Sequence, residues 1–257
     1  MPKDLPEVRK MHLTASGIVL KVSQSGDSDR FCTLLTDSHG VISAFAKGAR
    51  SMKNKNATAT AQFVYGHYEL FRRRDTYIID ESQYEELYTG LREDIFRLSV
   101  AQYLCQLTME LVPGEQPAGE YLQLMRAALW YLSENSRHPL LVKAAAEMRM
   151  LSMAGYMPDL VMCRECGAYE HDLMFFVPST GRISCGNCGV KRREYAVKLG
   201  RGAMTALRHS VYADLRKLFA FTLSDESLKQ FSEAAEAFAL SKTEKRLSTL
   251  AFLKTMM

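Results

Sequence analysis

Two short cysteine pairs constrain this chain more than anything else in it. Cys163-Arg-Glu-Cys166-Gly167 is followed by Cys185-Gly-Asn-Cys188-Gly189. A C-x-x-C pair followed by a second one after about 15–20 residues is the spacing of a zinc site. Four thiolates close a tetrahedron around Zn²⁺ and leave no open position for chemistry. Gly167 and Gly189 each follow the second cysteine of a pair, where positive φ lets backbone N–H groups approach the sulfurs. Between the pairs, Leu173–Val177, the turn Pro178-Ser-Thr-Gly181 and Arg182–Ser184 read as strand, turn, strand. The predicted unit is a zinc-stapled hairpin. The alternatives at this point are two disulfides, which need an oxidising compartment, a redox C-x-x-C, four unrelated thiols, or a fold retained after loss of the metal. His171 and His209 are candidate substitute ligands, although four cysteines already complete the shell.

The rest of the chain has room for two domains around this insert: 257 residues, 47% of them hydrophobic. No apolar run approaches the length of a membrane span. The first residues, Met1-Pro-Lys-Asp-Leu-Pro6, carry no apolar signal core. A cytoplasmic protein is therefore expected, with no membrane partner. The net charge of +4 is modest, so a nucleic-acid footprint must be a local patch. Cys32 and Cys105 sit in apolar surroundings and read as inert buried thiols.

The first ~85 residues alternate as β structure. Leu13–Val22, Arg30–Thr36, Val41–Ala46, Val64–Arg73 and Thr76–Asp80 are five strand candidates. Asp37-Ser-His-Gly40 reads as a hairpin turn, and Arg74-Asp75 as the link of the last hairpin. Gly17, inside the first strand, predicts a bulge or bend. Five short antiparallel strands suit a small barrel, of which the OB-fold is the common five-stranded form. From residue 91 the period becomes 3.6. Leu91, Ile95, Leu98, Cys105, Met109 and Val112 predict one apolar helical face. Pro117 and Pro139 open further helices, and Gly155 stands where a C-terminal cap belongs. Beyond the cysteines, Ala203–Ser210, Tyr212–Phe221, Asp225–Leu240 and Thr243–Lys254 read as helices, with Ser224 and Ser241 as N-caps. The expected class is α+β: an OB-fold barrel over 1–85, then an α-helical domain over 86–257 with the four-cysteine zinc hairpin inserted at about 160–195.

Nothing in the sequence is a catalytic constellation. It contains no G-x-S-x-G, no phosphate-binding Gly-Lys-Ser/Thr loop and no G-x-G-x-x-G. The six histidines are dispersed. The expectation is a protein that is not an enzyme and has no small-molecule substrate. Basic residues interleaved with aromatics are the better signal. Lys47, Arg50, Lys53 and Lys55 share one loop between barrel strands, where OB-folds grip single strands. Arg72, Arg73 and Arg74 end the last hairpin, just after Tyr68 and Phe71, and Lys191, Arg192 and Arg193 follow the second cysteine pair. Cations would neutralise phosphates and aromatic faces would stack bases. The competing reading of each run is a solvated, charged turn that keeps an edge strand from pairing.

The order of these parts resembles the RecO family of bacterial recombination mediators over nearly the whole chain. The residues that carry the resemblance are Gly17-Ile-Val-Leu-Lys21 with Asp29-Arg30, then Ala46-Lys-Gly-Ala-Arg50. The most specific stretch is Glu147–Leu160, with its Gly155-Tyr156-Met-Pro158, running into Cys163-x-x-Cys166-Gly167. The resemblance implies an N-terminal OB-fold, a helical domain and a zinc module. It also implies binding to single- and double-stranded DNA, annealing of complementary strands, help to RecR in loading RecA, and contact with the C-terminal tail of single-strand-binding protein. The loop 51–60 departs from a more basic pattern, since its positive charges stop at Lys55. An RNA- or transcription-associated OB-fold and zinc-hairpin protein is the alternative reading. A purely structural scaffold whose hairpin binds only protein is a third.

Overall fold

A computed structural model describes residues 12–73, 76–190, 194–243 and 246–256. The chain divides into two compact units: Met1–Tyr88 with Pro113–Leu122, and Thr89–Val112 with Gln123–Met257.

The first unit is a closed barrel. Its strands are β1 (His12–Ser25), β2 (Asp29–Thr36), β3 (Gly40–Ala46), β4 (Tyr65–Arg73) and β5 (Thr76–Glu86), in the order β1-β2-β3-β5-β4. The β3–β5 pair is parallel and the others are antiparallel. That five-stranded closure is the OB-fold. Strict alternation drives it: along β3, Ile42, Ala44 and Ala46 are buried while Val41, Ser43 and Phe45 are half-buried. Small inward residues such as Ala15 and Ala44 share the core with the fully buried ring of Tyr68. The expected bulge at Gly17 is absent. Gly17 stays in register with both neighbours, and the irregularity falls between Val19 and Lys21. Glycine stands at 17 for space, since a Cβ there would lie 2.7 Å from the Leu35 carbonyl oxygen. The segment after Val112 runs along the β2–β3 turn, where Glu115 N–H donates to His39 O and Ala118 N–H to Asp37 O, each at 2.8 Å.

The second unit contains α1 (Ile95–Leu111), all but the first four residues of α2 (Gly119–Ser133), α3 (Pro139–Met153), β6 (Leu173–Val177), β7 (Arg182–Cys185), β8 (Val197–Gly200), α4 (Arg201–Tyr212), α5 (Asp225–Lys242) and α6 (Ser248–Lys254). Local chemistry sets several ends. Asp94 accepts from Arg97 N–H at 2.9 Å, Pro139 stands at the first turn of α3, and Ser224 accepts from Ser227 N–H. Among the described residues no helix is long and apolar enough to cross a membrane.

Four expectations change here. The helix α1 is not half-buried along one face. Val100, Ala101, Tyr103, Leu104 and Leu107 are buried as well, whereas Ile95 is 61% exposed. Periodicity weakens because α1 packs against both α3 and α6. The segment Tyr212–Phe221 is not a helix: α4 ends at Tyr212, and only Leu215–Lys217 forms a 3-10 turn. There the Asp214 side chain accepts from Arg216 N–H at 2.8 Å, a local bond that competes with helix continuation. Ser241 caps nothing. It lies inside α5 and its hydroxyl donates to Phe238 O and Pro178 O, while the last helix begins only after Leu247, which is buried and extended. The cysteine insert is a three-stranded sheet ordered β7-β6-β8, because β8 pairs with the free edge of β6.

A buried charge network ties the helices together. Lys143 on α3 is fully buried and pairs with Glu147 at 2.9 Å and with Glu236 on α5 at 3.0 Å. Tyr103 on α1 donates to Glu147 at 2.5 Å, and Lys254 on α6 meets Glu236 at 2.6 Å. Desolvation works against the Lys143 ammonium, but the two carboxylates outweigh it and hold its pKa above the ordinary value. Desolvation offsets much of the attraction in a buried pair of this kind, so its intact form adds little net stability.

Candidate metal centre and nucleic-acid surface

The path from α3 into the cysteine module is set by the Gly155-Tyr156-Met-Pro158 stretch. Gly155 has φ +91°, and Tyr156 N–H donates back to Leu151 O at 2.9 Å. Such a left-handed glycine cap stops a helix and satisfies its last carbonyls. Asp159 N–H then donates to Gly181 O at 2.8 Å, which seats the chain beside the start of β7. The sheet is anchored from behind as well: the Phe176 ring of β6 meets Phe238 of α5 at 5.6 Å, and Gln230 of α5 accepts from Gly200 N–H at 2.8 Å.

On this frame the sulfurs of Cys163, Cys166, Cys185 and Cys188 lie within 4.8 Å of one another. Each pair sits on a tight knuckle. Gly167 N–H donates to Cys163 O and Gly189 N–H to Cys185 O, both at 2.9 Å, and both glycines have positive φ. The Cys166 and Cys185 sulfurs are 3.6 Å apart. Tetrahedral Zn–S bonds of ~2.3 Å set sulfurs about 3.8 Å apart. Cys185 N–H donates to the Cys163 sulfur at 3.2 Å, the kind of outer hydrogen bond that orients and stabilises a thiolate ligand.

Electrostatics points the same way. Burial opposes ionisation of Cys163, but backbone N–H groups of Cys166, Cys185 and Glu165 outweigh it and bring the thiol down to about 6. Cys188 holds its proton between Cys166 and Cys185 and is pushed up to about 12. Four thiols at this spacing are a set that could hold a metal ion, whose charge would favour their ionisation. All four are free cysteines, so the disulfide reading falls. The residues fit a closed four-thiolate metal site. His171 faces the backbone of Leu173 and His209 the Lys217 carbonyl, and neither belongs to the cluster. Cys32 and Cys105 are buried elsewhere, with Cys32 raised to about 11 by burial.

The connection between β3 and β4 is a run of hydrogen-bonded turns. Its clips are the motif residues themselves. Asp29 accepts from Gly48 N–H at 2.7 Å, at a position where φ is +64°. Arg30 donates to Ala57 O at 2.5 Å and to Thr60 Oγ1 at 3.0 Å. Arg50 donates to Gly26 O and Asp27 O across the β1–β2 turn. Asn56 donates to Asp80 O and accepts from Ser82 Oγ. Tyr68 donates to Ala59 O at 2.8 Å.

This divides the basic residues of the connection. Arg50 is engaged with backbone carbonyls, and Lys55 pairs with Glu81. Lys47 and Lys53 are exposed and stand in no recorded ion pair among the described residues. Arg72 and Arg73 are exposed at the end of β4, with Arg72 3.3 Å from Glu115. Arg74 lies outside the described residues, as do Lys191, Arg192 and Arg193. Tyr68, expected as a stacking face beside these arginines, is fully buried in the barrel core.

One pairing had no sequence signal. Arg208 on α4 lies 4.0 Å from the ring centroid of Tyr169 in the cysteine module. The two are far apart in the chain and belong to no motif.

Comparison with known proteins covers both units. Residues 11–88 match the family described as Recombination protein O N terminal, and residues 92–251 match Recombination protein O C terminal. A protein of Acetivibrio thermocellus named DNA repair protein RecO is 31% identical over 245 residues, covering 95% of this chain and 97% of the relative. A protein of the same name from Symbiobacterium thermophilum is 32% identical over 243 residues, covering 93% and 96%.

Proposed function

Because this chain belongs to the RecO family of DNA repair proteins, we propose that it acts as a non-enzymatic DNA-binding recombination mediator. It binds single- and double-stranded DNA, anneals complementary strands, and helps RecR load RecA on DNA coated with single-strand-binding protein, whose C-terminal tail it contacts. The observation that carries this reading is the match of both family descriptions, one on the barrel and one on the helical unit.

The mechanism is charge neutralisation and positioning. Lys47 and Lys53 stand on a clipped connection between barrel strands and meet phosphates, and Arg72 and Arg73 add charge at the end of β4. Arg74 and Lys191, Arg192 and Arg193 are assigned to the same role. Phosphate contacts position a strand without reading its sequence, which suits a protein that must hold any two complementary strands. The four cysteines hold one Zn²⁺, which closes the insert and takes no part in chemistry. The protein works in the cytoplasm at the nucleoid.

The test is annealing of complementary oligonucleotides in buffer without ATP, with and without single-strand-binding protein on the strands. Acceleration in both conditions is expected. No acceleration over spontaneous annealing, with the protein folded and loaded with zinc, would refute the reading.

A further inference from the structure

A cleft of about 570 Å³ opens beside the cysteine module, walled by Tyr169, Arg208, His209 and Tyr212. Its geometry is unusual for a loop surface because its cation is immobilised. Arg208 donates from Nε to Leu160 O at 2.8 Å, and from Nη2 to Val161 O at 3.1 Å and Tyr169 O at 2.6 Å. Held in this way, the guanidinium lies 4.0 Å from the Tyr169 ring centroid, yet Tyr169 as a residue remains 56% exposed. Tyr212 is 51% exposed and is tied by its hydroxyl to Pro158 O at 3.4 Å. Two aromatic rings are thus offered to solvent from rigid mounts. One stands on α4 and the other on the loop between the cysteine pairs.

Charge stands next to these faces. The 3-10 turn after α4 carries Arg216 and Lys217, both exposed. His209 Nε2 meets the Lys217 carbonyl at 2.9 Å, which holds that turn against the helix. Glu170 is the one acid on the wall. A tyrosine backed by a guanidinium, with exposed cations on the adjoining turn, Arg216 lying 4.0 Å from the Asp214 carboxylate, suits a flat π-face bearing negative charge at its edge. Base–aromatic stacking tolerates every base, and preorganised mounts lower the ordering cost of binding.

We propose that this cleft receives an unpaired base of single-stranded DNA, stacked on Tyr169 and Tyr212, with its flanking phosphates neutralised by Arg216 and Lys217. The inference rests on the DNA-binding reading above and adds a base-contacting site on the helical unit. Met157, Val161 and Met162 nearby are also exposed, and a protein partner on this face is the competing outcome.

The experiment uses the full-length zinc-loaded protein and single-stranded DNA containing 5-iodouracil. Irradiation should cross-link the base to Tyr169 or Tyr212, as read by peptide mapping; this step needs no variant. In parallel, the double variant Tyr169→Leu, Tyr212→Leu should bind a normal strand about tenfold or more weakly, with the salt dependence unchanged. Wild type should discriminate against an abasic strand, and the double variant should not. Tyr169→Phe should keep most of the affinity. Cross-links only outside residues 156–217, together with unchanged affinity in the double variant, would overturn the inference and leave the face to a protein partner. Wild-type protein with no affinity for the unmodified strand would instead remove the DNA-binding reading itself.

Discussion

The barrel connection at residues 47–63 and the cysteine module at 160–190 are both irregular segments mounted on small sheets. They are held by different means. In the barrel, side chains of Asp29, Arg30, Arg50, Asn56 and Tyr68 satisfy the backbone of the connection or its neighbours. In the module, backbone N–H groups close the two knuckles and Cys185 N–H turns to the Cys163 sulfur, and the four sulfurs converge where a metal ion could sit. The first arrangement is complete within the chain. The second leaves four converging thiols that could hold a metal ion. Conditions that remove the metal should therefore separate the two.

The largest effect is expected from metal removal. Structural zinc contributes on the order of 10 kcal/mol to folding of small finger peptides. Less of that is felt here, since β6 and β8 also lean on α5. Chelation, or Cys163→Ser, should release β6–β8 to rapid hydrogen exchange while the barrel amides stay protected. Equal loss of protection in the barrel would break the distinction.

Next comes the buried network that supports the module's helices. Lys143→Met leaves the buried Glu147 without its cation and Glu236 with Lys254 alone. Breaking a buried pair in this way costs about 3–5 kcal/mol, measurable as a lower midpoint in urea. The network also carries a pH signature. Burial acts against the Glu236 carboxylate, but Lys143 and Lys254 outweigh it and hold its pKa below the ordinary 4.5. Its contribution is fully present above that value and is lost as pH falls through the lower folded value. Glu147 is pushed up by burial and acts in the opposite sense. The reading is therefore a difference: Glu236→Gln should flatten the acid limb of stability relative to wild type. An identical acid limb would mean that Glu236 titrates alike in folded and unfolded chains.

In the barrel, Arg30→Ala removes a charged donor from Ala57 O and Thr60 Oγ1. Hydrogen bonds to charged groups contribute about 1.5–3 kcal/mol, so a loss near 2 kcal/mol is expected by thermal or urea denaturation. Added zinc should not restore it. Rescue by zinc would erase the contrast between the two regions.

The sequence made some of this legible and concealed the rest, for physical reasons. Cysteine spacing is a covalent ruler: two residues between sulfurs fix a knuckle whatever surrounds it, so the clustering of the four cysteines was readable. Alternation in β1 to β5 is nearly as direct, because period two survives in a barrel with one wet face. The Asp29-Arg30 and Ala46–Arg50 stretches were visible as family features, but their work as clips depends on contacts 19 or more residues away. The strand β8 is four residues long, too short for its Val-Lys-Leu alternation to stand out; it pairs with the edge that β6 offers. Tyr212–Phe221 showed helical composition, but a single Asp214 side chain ended the helix. The stacking of Tyr169 on Arg208 joins two ordinary surface residues, and nothing local marks either.

The smallest effect on stability tests the functional claim most directly. Lys47 and Lys53 are exposed and carry no clip, so Lys47→Ala with Lys53→Ala should change stability by less than about 0.5 kcal/mol. Each lysine that meets a phosphate of single-stranded DNA adds about −0.7 to the log–log salt slope. Titrating wild type and this double variant with one oligonucleotide over a range of salt should show the slope flattened by about 1.4, with affinity falling alike for every sequence. An unchanged slope in a folded double variant would place the DNA contacts away from the barrel connection and contradict the account.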